Sequence, residues 1–485
     1  MSDKKQTYAY FVPDGGELRT ADAQAVIPEP VAIRLVPDSK KTMPPVKALH
    51  GVTNYAPLGS TSMAYPLDVR SRLKELHVPY AYFHDDPYVS KGKDVIDVSR
   101  IFPLFHADET NPANYLFAET DDYLRPLVED GVKIIYRLGE SIECGGTCYR
   151  TCPPRDYAKW TRICLNIVRH YTEGWADGHH WEMTDWAVWE EPNNPNLWHG
   201  SFEAYLELYK SISVAFKQAF PRLRIGGPST TTLGYRYLDQ FLVFVKKERL
   251  PLDFVNYTGY YLTPAEFLQE SVKRRELVDR HGFTDVPLWC TEWHCSPFWH
   301  AFADPSAYGR ERNRYGGTEG AAFAATALCG LQDAPLERAC FYSACIGGGY
   351  GLIDAECRPT PSYYVFQKFA RLCNASVRRI AIEIRNASAN TEALLSEKSD
   401  GMLELLCGTF SRIEGSVTIE IPQGYEVHDV QVLDEMSSPR FAEMERERIV
   451  RDGGTLTLGK YACASVFHVT FRPCGSNHTI YTRLI

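Results

Sequence analysis

No run in the 485 residues approaches the roughly 20 consecutive apolar residues that a membrane-spanning helix needs. The opening stretch, MSDKKQTYAYFVPDGGE, is polar and has no apolar core of a secretory leader, so a cytoplasmic location is expected. Basic runs and Arg/Lys stripes are also missing. With 61 acidic residues against 52 basic ones and a net charge of −9, this argues against nucleic acid or an anionic membrane as the main partner. There is no GxSxG nucleophile motif, no internal repeat and no low-complexity tract. GGGYG at 347–351 is not followed by Lys-Ser/Thr and opens no helix, so it reads as a loop over a strand end rather than a phosphate cradle.

What the chain does have is material for a large core: 44% hydrophobic and 13% aromatic residues, with 9 Trp and 29 Tyr. That is enough for one domain of a few hundred residues and a smaller second one. Cysteine is plentiful at 14, and Cys164, Cys290, Cys340 and Cys407 sit in apolar runs where a thiol acts as a small hydrophobe. Cys144, Cys148 and Cys152 form C-x3-C-x3-C, and His294 and Cys295 could add ligands. This is not the usual spacing of structural zinc, so loop thiols or a disulfide are the better reading and no metal or cofactor is expected.

Short apolar runs fall at 46–52, 78–83, 132–138, 185–190, 223–227, 252–260, 286–292 and 337–344. Between and after them lie segments of 3.6-residue period, including DVRSRLKELH, DYAKWTRICLNIVRHYTEG and TEGAAFAATALCGLQ. Several open on Asp, Ser or Thr and close near Gly or Pro, as capped helices do. Eight strand–helix pairs in about 330 residues predict a (β/α)8 TIM barrel. After residue 378 the helical period stops, and TEALLSE, MLELLCGTF, SVTIEIP, HDVQVLD, TLTLG and ASVFHVTFR read as an accessory C-terminal β-sandwich. The expected division is an N-terminal segment 1–44, a barrel 45–377 and a β-domain 378–485, with VAIRLV near residue 31 a candidate extra strand for the latter.

In such a barrel the working residues sit at the C-terminal ends of the strands. The fourth run ends in Glu190-Glu191-Pro192 and the seventh in Thr291-Glu292-Trp293. Two carboxylates facing each other across the mouth are what glycoside cleavage uses: one to protonate the leaving oxygen, one to attack the anomeric carbon or position water. A single strand-end Glu is weak evidence. Two, on the fourth and seventh strands and each beside a Trp, are more specific.

On these motifs the chain resembles glycoside hydrolase family 39, of the larger clan A of (β/α)8 glycosidases, over roughly residues 45–375. HGVTNYAP (50–57), HDDP (84–87), WAVWEEPN (186–193), RIGGPS (224–229) and LWCTEWHC (288–295) carry the likeness. The resemblance implies Glu191, directly before the proline, as acid/base and Glu292 as nucleophile. It implies retention of configuration by double displacement, with the carboxyl groups about 5–5.5 Å apart. β-Xylosidase is the leading implied activity, exo-acting on small oligosaccharides or glycosides, with α-L-iduronidase, β-galactosidase and α-L-arabinosidase as neighbours. A catalytically silent carbohydrate-binding barrel is the alternative from another class. The partner is a carbohydrate substrate, and a homo-oligomer is compatible with the sequence.

Three departures accompany the matches. Clan A has Asn before the acid/base, whereas this chain has Glu190. The usual second-strand Arg is replaced by Tyr82, and the sixth strand's Trp-His-x-Tyr reads Tyr257-Thr258-Gly259-Tyr260. Since both catalytic positions are kept, altered specificity is favoured over loss of activity. Arg137 is a candidate to replace the lost charge near Glu292; Glu190 either accepts from sugar hydroxyls while paired to Arg137 or sits protonated, the bland reading being that it turns away and pairs with an ordinary basic residue. Trp189, Trp293, Tyr260 and Tyr342 are candidates to line the sugar site, with core packing the bland reading of each. His50, Asn54, His84, Asp85 and Asn193 complete the set, His84 being the better hydroxyl contact and His50 equally readable as a buried structural histidine.

Overall fold

The computed structural model describes residues 31–55, 58–59, 67–84, 95–143, 149–295, 314–344, 351–354, 356–386, 390–410, 415–461 and 464–475. Eight parallel strands close into a barrel. In chain order they are Gly51–Thr53, Tyr80–Tyr82, Lys133–Leu138, Asp185–Val188, Arg224–Thr230, Phe254–Tyr261, Leu288–Cys295 and Arg338–Tyr342. Each of the eight apolar runs supplies one of them. The first strand begins only at Gly51, because the residues before it tie down the barrel floor. There the Lys47 ammonium donates to the carbonyls of Leu331, Ala334 and Leu336.

The barrel helices are Arg70–Glu75, Ala118–Glu129, Tyr157–Thr172, Phe202–Ala219, Tyr235–Glu248, Pro264–Arg280, Thr318–Gly330 and Pro361–Ala375. Asp156, Ser201 and Thr263 cap three of them, each accepting from the backbone N–H three residues on.

The lower barrel is filled, not hollow. Tyr80, Tyr82, Ile135, Ala187, Phe254, Trp289 and Cys340 form its inner cluster. Trp289 stacks on Phe254 with centroids 3.8 Å apart. Beneath them Asp185 accepts from Arg224 at 2.6 Å and from Arg338 at 2.7 Å, and both guanidinium groups lie over the Trp289 ring. Gly226 has no side chain where a Cβ would lie 2.4 Å from the Phe254 ring. Rings and ion pairs fill the floor, which leaves the C-terminal mouth as the place for a ligand.

The second domain is one continuous ten-stranded sheet, antiparallel except where Val31–Thr42 runs parallel to Gly415–Glu420. Val31–Thr42 also pairs antiparallel with Ser376–Arg385, placing an N-terminal strand inside the C-terminal sheet. Leu456 and Leu458 near one edge share an apolar cluster with Val430 and Val432 near the other. The sheet therefore curls over its own core, which gives the expected sandwich from a single sheet. It docks on helix Thr318–Gly330, which is buried along almost its whole length. Such a helix is apolar all round because it has protein on both sides. Gly408 makes the close approach possible: a Cβ there would lie 2.5 Å from Thr326 Oγ1.

Candidate active site

Alternation along a strand should send adjacent residues to opposite faces, so two neighbouring glutamates in one site need an explanation. On the fourth strand Asp185 and Ala187 face inward, while Trp186 and Val188 belong to the outer core. The next inward position is Trp189. Its backbone, however, is left-handed (φ 65°), and so is that of Glu191 (φ 38°). Each such residue costs on the order of 1–3 kcal/mol. The first twist swings Trp189 outward and turns Glu190 in; the second brings Glu191 to the same mouth. The Glu191 N–H donates to the Ser229 carbonyl at 2.9 Å, and its own carbonyl accepts from Asn194 N–H at 2.8 Å, fixing the turn.

The seventh strand solves the same problem with a bulge. Its pairing to the sixth strand runs Cys290 to Tyr257 and then Glu292 to Thr258, leaving Thr291 as the extra residue. Trp289 faces the interior below, and the bulge resets the alternation so that Glu292 also faces the mouth. The sixth strand alternates regularly, so Asn256, Thr258 and Tyr260 share one face.

The side chains form a connected set. Thr258 Oγ1 donates to Glu191 Oε1 at 2.5 Å, and Asn194 Nδ2 donates to Glu191 Oε2 at 2.8 Å. The Tyr260 hydroxyl donates to Glu292 Oε1, and the Tyr82 hydroxyl to Glu190 Oε2. His84, Glu190 and Glu292 bring one atom each within 4.8 Å of one another. All three glutamates are buried. Glu190 Oε1 has no hydrogen-bond partner among the described residues.

Burial pushes the Glu190 carboxyl up to about 7; the Glu191 charge adds to this, while His84, the Tyr82 hydrogen bond and Arg137 oppose it. Near neutrality Glu190 therefore holds a proton far more readily than an ordinary carboxyl, and it can donate as well as accept. Burial and the Glu190 charge push the Tyr82 phenol well above its ordinary range, so it remains a neutral donor. Around the carboxylates stand Tyr342, with its ring 6.2 Å from Tyr260 and 6.3 Å from His84, and Asn54, whose Oδ1 accepts from the His84 N–H at 2.9 Å.

The glycosyl hydrolases family 39 model matches residues 99–405, well over half of the chain. The chain belongs to glycosyl hydrolase family 39. It is 26% identical over 318 residues to a beta-xylosidase of Caldicellulosiruptor saccharolyticus, covering 58% of this chain and 61% of that one. To a beta-xylosidase of Geobacillus stearothermophilus it is 29% identical over 247 residues, covering 45% and 47%. The chain thus spans about half to three-fifths of the length of these curated relatives. In fold it is similar to a glucosidase from Croceicoccus marinus, with a TM-score of 0.72 and 21% identity over 91% of this chain and 99% of that one. It is also similar to a GH39 enzyme of Xanthomonas axonopodis pv. citri, with a TM-score of 0.64 and 18% identity over 94% and 99%.

Within this family 39 barrel, Glu190, Glu191, Glu292, His84, Tyr260, Tyr342 and Asn54 gather at the mouth. Five other candidates do not serve it as expected. Trp189 is fully buried against Trp160 and Trp198, its indole donating to the Leu197 carbonyl, because the left-handed turn carries it away from the mouth. Trp293 alternates away from Glu292 and packs against Phe267, Phe323, Phe341 and Phe366. His50 precedes its strand, at the barrel floor, with Nε2 at 3.1 Å from the His77 carbonyl and its ring edge on Phe369; burial pushes it down to about 4, so it stays neutral. Arg137 does not bond Glu190: its guanidinium is engaged by Asp97 at 2.6 Å and Ser141 at 3.1 Å, leaving it only a through-space influence. Asn193 uses both ends of its amide on Thr231, fastening the fourth and fifth strand loops.

Asp85, Cys144, Cys148 and the greater part of GGGYG lie outside the described residues. His294 Nδ1 lies 2.6 Å from the Cys295 carbonyl oxygen. Among the described residues, no helix is long and apolar enough to cross a membrane.

Thr258, Asn194 and Tyr82 were missed as site residues. Thr258 was detectable: it is two residues from Tyr260 on a regular strand, so period two puts both on one face. Asn194 bonds Glu191 only through the irregular turn, which no pattern announces.

Proposed function

We propose that the chain hydrolyses glycosidic bonds with retention of configuration, Glu191 serving as acid/base and Glu292 as nucleophile. The observation that carries this reading is the joining of two buried strand-end carboxylates through one strand: Thr258, paired in register with Glu292, donates to Glu191. In the first step Glu292 attacks the anomeric carbon while Glu191 gives its proton to the departing oxygen. In the second, Glu191 takes a proton from water, which displaces Glu292 from the sugar. The Tyr260 hydroxyl steadies Glu292 in the attacking orientation, and a carboxyl separation of about 5–5.5 Å is expected.

A β-xyloside is the leading substrate, supported by the two beta-xylosidase relatives. α-L-Iduronidase, β-galactosidase and α-L-arabinosidase chemistry are the neighbouring alternatives. Glu190 stands beside Glu292 with one buried oxygen unbonded. It contacts a hydroxyl of the sugar next to the reacting carbon, as donor when protonated and acceptor when ionised. A panel of nitrophenyl glycosides covering pyranosides and furanosides tests the reading. Hydrolysis of at least one, abolished in Glu191→Gln (assayed with a poor leaving group) and in Glu292→Gln, supports it. Near-wild-type turnover by either variant would sink the assignment.

A further inference from the structure

A second cluster of ligating side chains lies on the outside of the barrel, away from the catalytic mouth. Asp121 comes from helix Ala118–Glu129, His170 from helix Tyr157–Thr172, and His179 from the segment leading into the fourth strand. One ligand atom from each lies within 4.8 Å of the others. Asp121 Oδ2 is 3.3 Å from His170 Nε2 and 3.4 Å from His179 Nε2. Tetrahedral zinc with bonds of about 2.0–2.1 Å holds its ligand atoms about 3.3 Å apart, so these separations suit one shared ion.

Proton placement points the same way. His170 Nδ1 is 2.9 Å from the Trp175 carbonyl, which can only accept, so Nδ1 carries the hydrogen. In the neutral ring Nε2 then aims a lone pair at a carboxylate, which is repulsive unless a cation or proton lies between. A proton on His170 would satisfy that contact, but it leaves His179 Nε2, buried and 3.4 Å from the same Asp121 oxygen, without a well-aligned hydrogen bond among the described residues. One divalent ion satisfies all three. The Trp175 carbonyl is also the kind of outer partner that fixes a metal-binding histidine.

The rings are held before any ion arrives. His170 stacks on Phe117 with centroids 3.5 Å apart, and His179 on Trp181 at 4.0 Å. Gly178 lets the loop close on His170, since a Cβ there would lie 2.6 Å from His170 Nδ1. The side chains of Asp121 and His179 remain 15% and 17% exposed, so the cluster borders solvent, from which a water could serve as fourth ligand.

We propose that Asp121, His170 and His179 form a structural binding site for Zn²⁺ or a similar divalent transition metal, stapling the second and third barrel helices to the segment that leads into the catalytic fourth strand. The test uses the full chain, stripped with chelator, dialysed and titrated with Zn²⁺. Expected are one equivalent bound by elemental analysis and calorimetry, and a melting temperature raised by about a few degrees at saturating metal. Asp121→Asn and His179→Ala should each weaken binding at least about tenfold while keeping the wild-type circular dichroism. Glu190→Gln, a control for the His84–Glu190–Glu292 group, should leave binding unchanged. As a check needing no variant, Zn²⁺ should protect the partly exposed His179 from diethyl pyrocarbonate in peptide mapping. Failure of the wild-type chain to retain zinc, binding that persists in both variants, or protection only at His84 would overturn the proposal.

Discussion

Replacing Glu190 by Gln tests the electrostatics of the mouth without changing its shape. The amide cannot ionise, yet it can still accept from Tyr82. In the folded chain Glu190 is pushed from 4.5 up to about 7, chiefly by burial. The folded state thus holds a proton that the unfolded state releases near pH 4.5. Between those values the unfolded chain binds fewer protons, so this group makes stability fall as pH rises, and the full cost is in place above about pH 7. A shift of this size corresponds to an order of magnitude of about 3 kcal/mol. Glu190→Gln removes the cost. At pH 5 the variant and wild type should melt within a degree or so of each other; at pH 8 the variant should melt higher by about 3 °C. Thermal melts followed by fluorescence at both pH values read this directly. In kinetics, the ionisation near pH 7 should vanish from the kcat/KM profile of the variant. A melting difference equal at pH 5 and pH 8 would refute the claim that the folded chain holds this carboxyl protonated.

Two other substitutions separate site from scaffold. Thr258→Val removes the hydroxyl that orients Glu191; a hydrogen bond to a neutral group is worth about 0.5–1.5 kcal/mol, so kcat should fall roughly 2- to 10-fold with the melting temperature little changed. Trp293→Ala should cost about 3–5 kcal/mol of stability in denaturant titrations and leave KM unchanged in the folded fraction; a raised KM with intact stability would restore Trp293 to the sugar site.

The barrel was legible because its eight apolar runs and intervening 3.6-residue patterns are properties of local sequence. Glu191 and Glu292 were legible because they end runs four and seven. The two misplaced tryptophans have one physical source. Trp189 and Trp293 were read from adjacency to a glutamate, whereas the face a residue takes is set by backbone irregularities: left-handed turns at Trp189 and Glu191, and a bulge at Thr291. Neither leaves a composition signal. Arg137 failed for another reason, since its partner Asp97 lies 40 residues away and is joined to it only by folding. Two departures noted separately in the sequence, Tyr82 and Glu190, proved to be one: the replaced residues are hydrogen-bonded to each other. Such pairing shows only when the barrel closes and the second and fourth strands, which flank the third, converge on the mouth.

The central claim is that Glu292 attacks the sugar while its neighbours across the mouth handle protons. Incubation with an activated 2-deoxy-2-fluoro glycoside, chosen to match the best nitrophenyl substrate, followed by peptide mass mapping, examines it most directly. One sugar attached to the peptide at Glu292, with activity lost in proportion to labelling, is the expected result. A label on Glu190 or Glu191, or steady hydrolysis of ordinary glycosides with no covalent adduct anywhere, would contradict it.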